Sequence, residues 1–170
     1  MTRSAALLVL GLWIGLLVAS WVFATTSFRT VDRVLGEGSR PELQERLAPL
    51  PADVRRTVFR HAASEANRAM FRALSIAELV MAAVLATLCW RLGPLPRTLA
   101  LVALTVVVVQ AAAVGPAILH LGRTIDFVPR PLPAEIGRRF GLLHGGYMLG
   151  DLVKAGVLVA AAWIIVRRAP

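Results

Sequence analysis

The sequence predicts an all-α fold: a four-helix transmembrane bundle with an amphipathic helical segment between the first and second spans. Three observations predict it. Hydrophobic residues make up 57% of the 170-residue chain, with a mean hydropathy of +0.68, whereas soluble domains are about 45–50% apolar. The excess is gathered into four long apolar runs. The charged residues lie mostly between and beside those runs, where arginines meet lipid headgroups.

The spans fall at about 5–25, 73–92, 97–120 and 142–166, with a polar helical loop over 28–72, all in one membrane domain of 1–170. Runs of about 18–25 residues cross a hydrocarbon layer of roughly 30 Å at 1.5 Å per residue. Backbone groups in lipid must bond internally, so each run is a helix. Trp21, Trp90 and Trp163 fall near run ends, at interfacial depth, while Trp13 lies within its run.

The first run also has the outline of a signal peptide, with Arg3 before it and Val22-Phe23-Ala24 as a small-residue cleavage pattern. Its length argues for a retained span. So do Gly11, Gly15 and Ala19, a small-residue stripe suited to close helix contact.

In the first loop, Ser39 and Glu42 have capping-box spacing and Pro41 suits a first turn, predicting a short helix to about Leu47. Pro49 and Pro51 end it. From Pro51 a second helix is expected through about Leu74, with Val54, Val58, Phe59, Ala62, Ala66, Met70 and Ala73 on its apolar face. Arg55, Arg56, Arg60, Glu65, Arg68 and Arg72 take the other faces. This helix either continues into the second span or bends near Ser75 to lie on the membrane.

Gly93-Pro94-Leu95-Pro96 joins spans two and three as a tight antiparallel hairpin. Pro129, Pro131 and Pro133 keep the last loop from being helical through its middle, and Pro116 is expected to kink the third helix near its end. Orientation stays open. The first and third loops carry 13 of the Lys+Arg residues, which places them in the cytoplasm by count. The termini and hairpin carry 5 in very short segments, which reverses the reading by density.

Net charge is +9, which in a soluble protein would point to nucleic acid. The arginines beside apolar runs point instead to the lipid bilayer as partner, with no nucleic acid. The single cysteine, Cys89, excludes an internal disulfide and any Cys/His zinc spacing.

Polar residues inside spans are costly and face the bundle interior or water. His144, Tyr147, Asp151 and Lys154 share one arc of the fourth span, with Met148 at its edge. Gln110 and His120 share a face of the third span, and Ser75 and Glu78 a face of the second. In an up-and-down bundle nearly all of these lie in the half nearer the two long loops. A polar pocket is therefore expected there, lined by Glu78, Gln110, His120, His144, Tyr147, Asp151 and Lys154. It would be hydrated, with His144 at its mouth and Lys154 at its floor, and Leu149 and Val153 would lie on other faces. A plainer reading stands beside it: Asp151 and Lys154 form a structural ion pair that fixes helix register, and His120 and His144 are interfacial. Gly146 and Gly150 are read as a helix contact. No nucleophile elbow, P-loop or HExxH motif is present, so no catalytic residue, metal site or cofactor is predicted and the chain is read as a non-enzyme.

Three stretches resemble the transmembrane protein 205-like family, a domain of unknown function. They are Gly11-Leu12-Trp13-Ile14-Gly15 leading into Trp21-Val22-Phe23-Ala24, then Val114-Gly115-Pro116-Ala117, and Phe140-Gly141-Leu142-Leu143-His144-Gly145-Gly146-Tyr147. The last is similar to that family's Phe-x-x-x-His-Gly opening of the final helix. The resemblance implies a four-helix membrane domain with no established activity, and singles out Pro116 and His144.

The expected function is that of a packing, scaffolding or stress-related membrane component, possible as a homo-oligomer, in the cell (inner) membrane of a bacterium. Two alternatives remain open at this point. One is a small-solute, ion or proton transporter using the polar pocket. The other is a haem- or quinone-binding redox module using His120 and His144.

Overall fold

The structure, a computed structural model, describes residues 1–36, 40–128 and 131–167. In chain order it contains α1 (Thr2–Leu35), α2 (Pro41–Leu47), α3 (Ala52–Trp90), α4 (Pro94–Val109), a π-helical turn (Gln110–Val114), α5 (Gly115–Thr124) and α6 (Ala134–Arg167). Among the described residues there is no strand. Four helical stretches are long and apolar enough to cross a membrane: α1, α3, Pro94–Thr124 taken as one, and α6.

These stretches close into a ring, with α1 against α3, α3 against α4, α4 against α6 and α6 against α1. The start of α1 and the end of α6 meet on the hairpin side, where Arg3 Nε and Nη2 donate to the Ile165 carbonyl at 2.9 and 2.6 Å. That bond sets a cation on the negative C-terminal end of α6.

The interior follows a spacing of three and four residues. Ala6, Leu10, Trp13, Leu17 and Ser20 are buried in α1, and Pro96, Ala100, Ala103 and Val107 in α4. In α6 the buried set is Tyr147, Asp151, Lys154, Leu158, Ala161 and Ile165. This is the seam of a left-handed bundle. Leu8, Leu12, Ile76, Leu149 and Leu152 point outward, as lipid-facing residues do. The hairpin-side half of the core is apolar, from Leu85 and Cys89 to Leu158 and Ile165. Arg97 over Trp90 and Arg167 over Trp163, at 4.7 and 4.2 Å, mark the interface at that end.

Several sequence expectations shift. Helix α1 continues past its apolar run to Leu35; of the two alternatives for the loop helix, the one found is direct continuation into the second span, as α3. Ser39 lies outside the described residues, as does Pro129; α2 has Arg40 at its N-cap with no side-chain cap bond. The buried side of loop-side α3 carries Asn67, Arg68 and Leu74, while Ala62 and Ala66 are exposed. The apolar face is expected toward the bundle or lipid; the side that packs inward is the one with Arg68, which meets the Asp126 carboxylate. The Gly11, Gly15 and Ala19 stripe faces outward, with nothing within 4 Å of a Cβ added at either glycine.

The sequence suggests a kink at Pro116, and the structure places a π turn just before it. Proline has no N–H to donate, and its ring presses on the carbonyl one turn back. The wider turn absorbs the misfit, with the Gly115 N–H bonding to the Gln110 carbonyl. A Cβ at residue 115 would stand 2.9 Å from that oxygen, so this closure requires glycine.

Candidate functional site

Lys154 is the organising residue. It lies about 20 Å along α6 from Arg167, at 1.5 Å per residue, and so near the middle of the apolar layer. It is 0% exposed, and Glu78 and Asp151 are each 1% exposed. A centred lysine costs roughly 2.5–3.5 kcal/mol to insert unless it is compensated. Compensation comes from two helices. Lys154 Nζ donates to Glu78 Oε1 and Oε2 of α3 at 2.7 and 2.8 Å. It also lies 3.0 Å from Asp151 Oδ1, one turn earlier on α6.

Neutral donors complete the cluster. Trp13 Nε1 of α1 donates to Glu78 Oε1 at 3.0 Å. Trp21 Nε1, about two turns further along α1, donates to Asp151 Oδ2 at 3.2 Å. Gln110 Nε2 donates to Asp151 Oδ1 at 3.0 Å and to the Tyr147 carbonyl at 2.8 Å. The last bond needs Gly150, because a Cβ there would lie 2.6 Å from Gln110 Nε2. Of the two glycines expected at a helix contact, Gly150 makes one, and the residue it admits is a glutamine, while a Cβ at Gly146 would meet nothing within 4 Å. Gln110 Oε1 is buried without a partner. Tyr147 closes the loop-side end, edge-on to Phe71 at 5.8 Å, with Lys154 Nζ 6.0 Å from its ring centre.

The structure therefore brings together Glu78, Gln110, Tyr147, Asp151 and Lys154. It does not bring in His120 or His144, and both are corrections to the expected pocket lining. Each is exposed. His144 stacks on Phe140 at 6.0 Å instead. His144 keeps the seam spacing of α6, but its side is left open, and a Cβ at Gly141, Gly145 or Gly146 would meet nothing within 4 Å. His120 is turned aside because the π turn takes in one residue more than an α turn, which rotates every face beyond it. The expected hydrated cavity over Lys154 is also absent from this arrangement, since the polar side chains close on one another. A cleft of about 430 Å³ lies elsewhere, among Ala117, His120, Thr124 and Arg139.

Sequence reasoning missed two parts. Trp21 reads as an interfacial anchor, yet its N–H turns inward to Asp151. The second omission is a polar cluster at the loop-side end. Arg68 there is 6% exposed, pairs with Glu65, and donates to Asp126 Oδ1 at 2.6 Å. His61 Nδ1 lies 3.1 Å from Asp126 Oδ2. Burial pushes the Asp126 carboxyl up, but the bond and charge of Arg68, with His61, outweigh it and hold the group below its usual range. The Arg68 bond likewise lowers Glu65, and the Asp126 bond raises Arg68. Asp126 sits past the end of α5, where sequence spacing gives no hint that it meets α3.

Four apolar helices of spanning length closed around a charged centre define an α-helical, four-span integral membrane protein. The chain matches no family model, no curated protein and no solved structure.

Proposed function

We propose that the protein is a non-enzymatic packing component of the membrane it occupies, and that its Glu78–Lys154–Asp151 cluster is a clasp rather than a passage. One observation carries this reading: the cluster is closed. The ammonium and both carboxylates are buried, and every carboxylate oxygen accepts a bond from Lys154, Trp13, Trp21 or Gln110. Those donors come from α1, the turn after α4, and α6, while Glu78 belongs to α3. The clasp therefore ties the whole ring together. A rigid unit of this kind, with the small-residue face of α1 turned to lipid, suits packing against other membrane helices, including a second copy of itself. We propose further that this membrane is the cell (inner) membrane of a bacterium.

A carrier of small solutes, ions or protons is the second reading. Two carboxylates share one ammonium, which leaves a formal charge of −1, and Gln110 Oε1 lacks a partner. Proteoliposomes separate the two. Packing predicts that vesicles containing the protein leak protons, sodium and potassium no faster than empty ones. Flux above the empty-vesicle rate that Gln110→Ala changes would overturn packing in favour of carriage. The exposed positions of His120 and His144 lend no support to the redox reading.

A further inference from the structure

The loop-side cluster has the geometry of a metal site as well as of an ion pair. His61 and Glu65 are four residues apart on α3 and so share a face. Asp126 joins them from the segment after α5. One ligand atom from each residue lies within 4.8 Å of the others. His61 Nδ1 and Asp126 Oδ2 are 3.1 Å apart. Two ligands each about 2.1 Å from a common ion, at right angles, are themselves about 3 Å apart.

The neighbours suit an ion. Arg68 engages Glu65 Oε1 and Asp126 Oδ1, so each carboxylate keeps a second oxygen free of it. Arg68 thereby orients both carboxylates, as groups behind metal ligands do. Phe127 lies against the imidazole, with ring centres 4.9 Å apart, and limits its rotation. Two carboxylates against one guanidinium leave a formal −1, which a divalent cation reverses to +1. Imidazole with carboxylates favours zinc, manganese or ferrous iron over calcium or magnesium. Three protein ligands leave coordination positions for water.

We propose that His61 Nδ1, Glu65 and Asp126 bind one first-row divalent transition-metal cation, clamping α3 to the segment that follows α5. The proposal does not depend on the role of the buried clasp. Its test uses the full-length, untagged protein in detergent, stripped with a chelator and titrated with zinc by calorimetry, with manganese binding followed by electron paramagnetic resonance. One ion per chain is expected, with a rise in thermal midpoint. His61→Ala and Glu65→Gln should each weaken binding by about tenfold or more, the scale reached even by losing residues behind a ligand. Both side chains are partly exposed, so both variants should fold. The protein carrying His120→Ala and His144→Ala together should bind as the wild type does. Absence of stoichiometric zinc binding, or equal affinity in His61→Ala, would overturn the proposal.

Discussion

The two charged clusters have the same charge count and different surroundings. Each sets two carboxylates around one cation: Glu78 and Asp151 around Lys154, Glu65 and Asp126 around Arg68. The inner cluster is sealed by Trp13, Trp21 and Gln110, whose N–H groups replace water. The outer one borders solvent through Glu65 and His61, with side chains 44% and 38% exposed. Their difference shows that burial, more than charge count, decides what an ion cluster does. In lipid an unpaired charge has no alternative partner, so a sealed cluster couples helices tightly. Water can reach Glu65 and His61, so the outer cluster is free to exchange partners at that edge, while its Arg68–Asp126 pair is buried.

The comparison breaks most visibly at Lys154. Lys154→Met leaves Glu78 and Asp151 facing each other without their cation. Loss of one partner from a buried pair typically costs about 3–5 kcal/mol. Thermal unfolding in bicelles should show that loss, and a cost near that of an exposed substitution would show that water reaches the cluster.

Next in size is Gly150→Ala. The new methyl would stand 2.6 Å from Gln110 Nε2, so the amide must move and give up its bonds to Tyr147 and Asp151. Overpacking of this kind costs about 1–3 kcal/mol. Pairing it with Gln110→Ala should recover part of the loss, and failure to recover any would place the strain elsewhere.

Arg68→Ala tests the outer cluster. It removes charge-assisted bonds of a kind worth about 1.5–3 kcal/mol each, with water able to replace the one to Glu65, so the cost should fall below that of Lys154→Met. Hydrogen exchange should show the release confined to residues near 61–68 and 124–128. Release spreading into α6 would tie the two clusters together.

The smallest effect belongs to His144→Ala. An exposed residue away from the clasp should change stability by no more than about 0.5 kcal/mol. A larger loss would mean that a partner covers that end of α6 in the membrane.

Much of this was readable in the sequence, for reasons particular residues make plain. Four runs long enough to span gave the fold class, because lipid leaves backbone no other solution. Asp151 and Lys154 were legible because a charge in an apolar run must face inward, and Glu78 and Gln110 followed by the same argument. His120 and His144 misled, because seam spacing extrapolates a helix face past the point where neighbours stop covering it. The π turn at Gln110–Val114 compounds this: one extra residue rotates a face, and only Pro116 hints at it. Trp21 has two plausible uses near a run end, and hydropathy cannot choose between them. Arg68 looked like a solvated residue because its partner, Asp126, is distant in sequence and lies in no periodic element.

The clasp is the central claim, and a double-mutant cycle of Glu78→Gln and Lys154→Met, read by unfolding in bicelles, tests it most directly. Each single change should be strongly destabilising, and the double change should cost clearly less than their sum, because it removes charge and counter-charge together. Strictly additive losses would contradict the account, since they would mean that Glu78 and Lys154 contribute independently and the cluster does not hold the helices as one unit.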